Sequence, residues 1–335
     1  MNRDATYEAP SNIAFVKYWG ARDPDRAVPW NRSISMTLDR CRTRCTVEHV
    51  RSREAEQVLF RPAPGAPLAP APGPFAARVT AHLDRLRRAS GRDARLRVAT
   101  ENSFPAAAGL ASSASGFAAL TLAATAALGV HATPGELSSL ARQSGSGSAA
   151  RSVFGGYVEW PRDFGDESVS AHVLAPAEHW DLRDVIAVVD ASPKPVSSRD
   201  GHLRATTSPY FDRRLDRIDR RVEAVRAAIA ERSLERMGPV IEDEAIDLHL
   251  IAMSSAPPIF YWKPATLAVL EAVRRLRDDR TAAWATMDAG ANVHVICDPA
   301  SEDKVARALQ RVPGVQSVLR DRVGPGPRAV AEPVR

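Results

Sequence analysis

The chain has 335 residues, 44% hydrophobic and 25% charged, with a formal net charge of +5 and a pI near 9.4. That length and apolar share exceed one small core, so two domains are expected. The basic balance suits anionic ligands. Nucleic acid is not expected, because aromatics reach only 6% and no basic-aromatic stacking motif occurs.

Met1-Asn2-Arg3-Asp4 lacks the charged-then-apolar order of a signal segment, and no apolar run is long enough to suggest a membrane helix; a cytoplasmic enzyme is expected. Ser11 to Trp19 is apolar-rich and predicts a first strand and turn. From Ser33 to Val50, Ile34, Met36, Leu38, Cys45 and Val47 alternate as in half-buried strands. Cys41 and Cys45 have no second Cys or His pair nearby, so strand packing is expected rather than zinc. With Cys297 they make an odd count, against a disulfide framework. Arg61 to Pro74 is dense in Pro and Ala and reads as a surface excursion. Val79, Leu83 and Leu86 predict a helix from Phe75 to about Ala89, ended by Ser90-Gly91.

Leu96–Thr100 reads as a strand, followed by a small-residue stretch and an apolar helix to Leu128. Further helices are expected over 134–142, 212–231, 239–253, 264–277 and 301–310, and strands over 153–160, 185–189 and 315–320. Two strand-like runs around a Gly turn fill 283–296. Arg213, Arg214, Arg217, Arg220 and Arg221 interleave with Asp and Leu and read as a solvated helix face. The expected division is 1–189 and 190–323, with a loose Pro/Gly-rich tail over 324–335.

Pro105-Ala106-Ala107-Ala108-Gly109-Leu110-Ala111-Ser112-Ser113-Ala114-Ser115-Gly116 is the strongest local signal. Small residues let backbone approach a ligand, and a helix N-terminus favours phosphate. Ser112, Ser113 and Ser115 add hydroxyls, with Ser112 a candidate Mg²⁺ contact. The stretch is neither a Walker A loop nor a dinucleotide fingerprint, and tight small-residue packing explains its composition equally well.

This stretch resembles the ATP-phosphate loop of the GHMP kinase superfamily. Asn12 to Gly20, Ser33-Ile34-Ser35, Ser144 to Ser152, Gly155 to Trp160 and Met287-Asp288-Ala289-Gly290 look like signatures of mevalonate diphosphate decarboxylases, in the right order. The resemblance implies an α+β GHMP kinase fold, with an N-terminal ribosomal-S5-like domain, a C-terminal ferredoxin-like domain and substrate in the cleft between them. It implies an ATP- and Mg²⁺-dependent carbon–carbon lyase of isoprenoid biosynthesis. Such an enzyme would convert mevalonate 5-diphosphate to isopentenyl diphosphate, commonly as a homodimer.

On that resemblance Asp288 is the catalytic aspartate, and Lys17 acts near the reacting centre. Alone, Asp288 also reads as an Asx-turn cap and Lys17 as a lysine snorkelling from a strand end. Asn102, Pro105, Gly109, Leu110, Ala111, Ser112, Ser113 and Ser115 would hold the nucleotide. Tyr18, Ser146, Ser148, Arg151, Ser198 and Arg199 would hold the acidic substrate, Arg151 by forking onto phosphate or carboxylate. Ala21 stands where many diphosphate-type relatives carry Lys, which favours a mevalonate 5-phosphate substrate. A 3-kinase that stops before decarboxylation is the other alternative.

Overall fold

The computed structural model describes residues 4–51, 55–105, 112–161, 169–192, 194 and 196–335. The first strand, β1 (Ala5–Val16), is followed by a short hairpin of β2 (Ala21–Asp23) and β3 (Val28–Pro29), then by β4 (Ser33–His49). Next come β5 (Val58–Arg61), β6 (Ala69–Pro70), α1 (Gly73–Ser90), β7 (Leu96–Asn102), α2 (Ser112–Ala127) and α3 (Pro134–Arg142). A 3₁₀ turn over Gly147–Val153 precedes β8 (Tyr157–Trp160) and β9 (His172–Ala175). The second half contains β10 (Arg183–Val188), α4 (Ser198–Ala205), α5 (Phe211–Glu231), α6 (Leu234–Ser254), α7 (Pro264–Asp278), β11 (Ala283–Thr286) and β12 (Val293–Cys297). It closes with α8 (Glu302–Gln310), β13 (Ser317–Arg322) and β14 (Arg328–Ala329).

The architecture is α+β, with two principal sheets. The larger is mixed: β14-β1-β4-β7-β5-β6 form its path, β8 and β9 extend it from β4, and only β5 and β7 run parallel. The smaller has the order β11-β12-β10-β13 and is antiparallel throughout. Cys45, Val47 and Val98 pack on the buried stripe of α1 (Val79, Leu83, Leu86) and on Phe117, Leu120 and the alanines of the largely buried α2. Further along β1 and β4, Phe15, Ile34, Met36 and Leu38 join Ile186 of β10 and Ile218, Val222 and Val225 of α5 in one core. The two lobes are therefore fused through apolar contact, which fixes the cleft above it.

Four expectations from the sequence change. β10 pairs only within the smaller sheet, so the lobe boundary lies before residue 183 rather than at 190. Helix α6 starts at Leu234, capped by the Ser233 hydroxyl accepting from the Arg236 N–H, and carries Pro239 inside it. Arg214 and Arg221 are buried at 2% and 5% exposure, because they fall on the same face of α5 as Ile218, Val222 and Val225.

The tail is the fourth. It is docked on the larger sheet: β14 pairs with β1, the Val330 N–H donates to Thr6 O (3.0 Å), and the Val334 N–H donates to Thr46 Oγ1 (2.8 Å). Arg42 reaches the carbonyls of Pro325 and Gly326, and Arg328 forks onto Glu8 Oε2. A chain ending at Val323 should lose about 2–4 kcal/mol of stability from these bonds. Thermal unfolding checks this; an unchanged melting temperature would show that the tail adds nothing.

Candidate active site

Where β1 ends at Val16, the chain leaves the sheet and Lys17 turns beneath the turn that joins β11 to β12. Asp288 sits in that turn, held tight by the Gly290 N–H donating to Asp288 O (2.7 Å). Lys17 Nζ donates to Asp288 Oδ1 at 2.9 Å and to Ala14 O at 2.6 Å. Lys17 is 1% exposed, whereas the Asp288 side chain is 26% exposed and opens onto a cavity of about 660 Å³. The pair therefore lies at the floor of a cleft, with its carboxylate toward the space.

Burial works against the Lys17 charge and lowers its pKa, opposed by Asp288 and Glu244 and assisted by Arg151. Burial also works against the Asp288 carboxylate, yet Lys17, His294 and Arg151 together hold it below the usual aspartate value. Asp288 is therefore an ionised acceptor beside a cation.

Arg151 projects from the 3₁₀ turn and is fully enclosed. Its Nε donates to Ser35 Oγ (2.9 Å), Nη1 to Ser33 Oγ (2.6 Å) and Nη2 to Asn12 Oδ1 (3.1 Å). None of these acceptors carries charge. Burial pushes Arg151 down to about 10, with Asp288 opposing the fall. Gly147 opens the turn because a Cβ there would stand 2.5 Å from the Tyr18 ring. Tyr18 stacks on His202 (4.1 Å) and meets Trp160 edge-on (5.0 Å). His202 Nδ1 accepts from the Gly20 N–H (3.0 Å), and burial drives its pKa down to about 3, so the ring is neutral.

Ten residues predicted from the sequence line this one cleft: Lys17, Tyr18 and Asp288 at its floor, Ser112 and Ser113 at the start of α2, and Ser146, Ser148 and Arg151 opposite. Ser198 and Arg199 complete the set from the first turn of α4. Ser113 and Ser146 face each other across it, Oγ to Oγ at 3.4 Å. Asn102 and Ser115 are elsewhere: both are buried and bonded to Thr43 Oγ1, at 2.8 and 2.6 Å, tying β7 and α2 to β4. Pro105 is absent from the cleft lining, and Gly109, Leu110 and Ala111 lie outside the described residues.

The sequence reading missed Lys194, Arg78 and His202, which also line the cleft. Lys194 is deeply enclosed, with Nζ donating to Ser198 Oγ at 3.4 Å. Its only signal was one cation just ahead of Ser198-Arg199. Ala21 and Arg22 do not line the cleft; Arg22 stacks on Trp30, 4.9 Å from the ring centre, so it does not replace the absent lysine there.

Among the described lining residues, Lys17, Arg78, Arg151, Lys194 and Arg199 are cationic and Asp288 alone is acidic. Serine hydroxyls, a helix N-terminus and five cations around one ionised aspartate define the phosphoryl-transfer cleft of a GHMP-type small-molecule enzyme.

Residues 9–171 match the Diphosphomevalonate decarboxylase-like N-terminal domain, and residues 184–330 match the Mevalonate 5-diphosphate decarboxylase C-terminal domain. The chain is 34% identical to a diphosphomevalonate decarboxylase of Candida albicans, over 98% of each chain. It superposes on the crystal structure of mevalonate diphosphate decarboxylase from Staphylococcus aureus with a TM-score of 0.90, at 31% identity over 98% of each chain. A mevalonate diphosphate decarboxylase from Enterococcus faecalis gives 0.87 at 32% identity, again over 98% of each. The chain belongs to the diphosphomevalonate decarboxylase family.

Proposed function

We propose that this chain catalyses the ATP-dependent decarboxylation of mevalonate 5-diphosphate to isopentenyl diphosphate, a step of isoprenoid biosynthesis. The observation that carries the reading is the Lys17–Asp288 pair, opening into a cleft whose described lining includes five cations and six serines. A structural relative at 33% identity and TM-score 0.88 was solved in complex with MVAPP, AMPPCP and magnesium, which supports the same ligands here.

The residues fit that ligand set. Ser112 and Ser113 at the α2 N-terminus, with Ser146 across from them, would hold nucleotide phosphates. No group of three His, Cys, Asp or Glu among the described residues could hold a metal ion. Ser112 would be the contact from the protein to Mg²⁺. When bound, ATP and Mg²⁺ supply the phosphoryl group and neutralise its charge.

The chain's own residues do the rest. Asp288 takes the proton of the substrate's tertiary hydroxyl as that oxygen attacks phosphorus. Lys17 keeps Asp288 ionised and faces the growing charge. Arg151, already enclosed, balances the substrate carboxylate without reorganising, while Tyr18, Lys194 and Arg199 hold its phosphate tail. Loss of CO₂ leaves an electron pair that forms the new double bond as the 3-phosphate departs. The expected homodimer and cytoplasmic setting belong to this reading but are not needed by the chemistry.

A second reading, decarboxylation of mevalonate 5-phosphate, is favoured by Ala21 and by Arg22 being engaged on Trp30. Purified chain given either substrate with ATP and Mg²⁺ separates the two. The diphosphate is expected to release CO₂ and ADP in equal amounts, at a kcat/KM at least about tenfold above the monophosphate, since the lost contact is charged. The reverse preference would install the second reading, and ADP without CO₂ would make the protein a 3-kinase.

A further inference from the structure

The side chains of Lys17 and Asp288 meet, yet they come from different lobes and neither backbone is fixed by a ladder. Lys17 lies one residue past β1, and Asp288 lies in the turn between β11 and β12. Side chains of one helix, α6, reach both backbones, while Lys17 O is held besides by Asn31 Nδ2 (2.9 Å) and by Arg214 of α5. The Lys17 N–H donates to Glu244 Oε1 at 3.1 Å, and Lys17 O accepts from Arg214 Nη2 at 2.9 Å. Glu244 is 0% exposed and also accepts from Arg214 and from Arg221, the latter paired in turn with Asp247 at 2.7 Å. Five residues further along the same helix, His249 is buried and hydrogen-bonded to the backbone of Asp288. Leu248, between them, lines the cleft.

We propose that α6 is the positioning strut of the reacting pair, Glu244 setting the backbone of Lys17 and His249 setting the backbone of Asp288. The proposal rests on the functional reading above and adds two positioning residues to it. A buried Glu whose second oxygen is held by Arg221 cannot swing, so the Lys17 N–H has one place to go. The neutral imidazole of His249, which burial drives down to about 3, donates without adding charge beside Asp288. Geometry held to a fraction of an ångström is what converts such a pair into a catalyst. The same arrangement is electrostatic. Lys17 is faced by Asp288 and Glu244 as anions and by Arg151, Arg214 and His249 from the remaining packed elements, and the Glu244 charge favours its protonated form.

The test uses the full chain. Glu244→Gln keeps an oxygen for the Lys17 N–H and removes the charge. It is expected to lower kcat about 10- to 100-fold with KM for ATP within about twofold. The alkaline limb of the kcat profile should move to lower pH. The chain has four lysines, Lys17, Lys194, Lys263 and Lys304, so the Lys17 side-chain titration can be followed by NMR without turnover, assigned by its loss in Lys17→Met. A downward shift is expected in Glu244→Gln. An unmoved Lys17 titration in folded Glu244→Gln overturns the Glu244 role, whatever happens to kcat. His249→Asn retains a donor at the position of Nδ1 and should recover most of the kcat lost in His249→Ala; equal loss in both overturns the His249 role. If Glu244→Gln does not fold, Glu244→Asp, which keeps the charge and draws the carboxylate back from the Lys17 N–H, is read by kcat: a fall of about tenfold or more supports the Glu244 role, and wild-type kcat overturns it. Wild-type chain that gives no CO₂ and no ADP would refute the functional reading, while the NMR shift still decides the strut.

Discussion

Asp288→Asn is expected to lower kcat by about 10³-fold while leaving KM for ATP within a factor of about three, because the amide cannot take a proton from the substrate hydroxyl. The carboxylate is 2.9 Å from Lys17 Nζ, and the amide oxygen fills the same place, so cleft shape survives the change. What is lost is charge. Lys17 is buried and already drawn below its ordinary pKa by that burial, with Asp288 the first influence holding it up. Without the carboxylate its pKa falls further, so the residual activity should fade at lower pH than in wild type. In wild type the sign is fixed by two groups. Asp288 is held below the ordinary aspartate value, so activity is present at neutral pH and lost as acid protonates the carboxylate below that value. Lys17, lowered from 10.5, sets the opposite limb, and activity is lost as pH rises through its pKa. Rate measurements across pH, with nucleotide affinity measured separately, check each part. Near-normal turnover in Asp288→Asn would remove this residue from proton transfer.

Much of this site was legible in the sequence because its residues travel in short, compositionally odd segments. Ser146, Ser148 and Arg151 sit in a Gly/Ser run that ends in an arginine, and Asp288 sits between small residues. Such segments bury little apolar area per residue and leave backbone and hydroxyl groups free to approach a ligand. Two further groups were invisible for different reasons. Lys194 stands alone between prolines, and a single cation in a loop carries no pattern. Arg214 and Arg221 were hidden by their surroundings, since α5 is rich in Arg and Asp all around and looks solvated, and Glu244 was hidden on α6 among Glu242, Asp243 and Asp247. Only the tertiary fact that Ile218, Val222 and Val225 face the core reveals that two of those arginines face it too. The misjudged tail follows the same logic: Pro and Gly forbid a helix over 324–335 but leave open an extended segment that adds to a sheet edge. Asn102 and Ser115 show the converse error, where hydroxyl and amide groups in the right motif serve the scaffold through Thr43.

Arg151→Lys carries the second large effect, and it separates charge from shape. The guanidinium bridges three neutral acceptors, Nη1 donating to Ser33, Nε shared between Ser35 and Asn12, and Nη2 donating to Asn12, and its remaining N–H groups are set by that bridge. A lysine ammonium reaches fewer of these and offers no planar fork. Turnover should drop about 10²-fold, the usual cost of one preorganised donor, with KM for ATP little changed because Ser112 and Ser113, proposed above to hold the nucleotide, are untouched. Stability should fall by roughly 1–3 kcal/mol, since Asn12 Oδ1 loses a buried partner. The pH dependence distinguishes this from a packing defect. Arg151 in place titrates near 10, whereas a lysine in the same enclosed position, next to the Lys17 cation, starts from a lower intrinsic value and is drawn down further by burial. The ratio of mutant to wild-type kcat should therefore fall as pH rises from 6 to 9, and Arg151→Met should show no such slope. A flat ratio for Arg151→Lys, with both variants equally impaired, would mean that Arg151 serves the fold of the 3₁₀ turn and not the charge of the substrate.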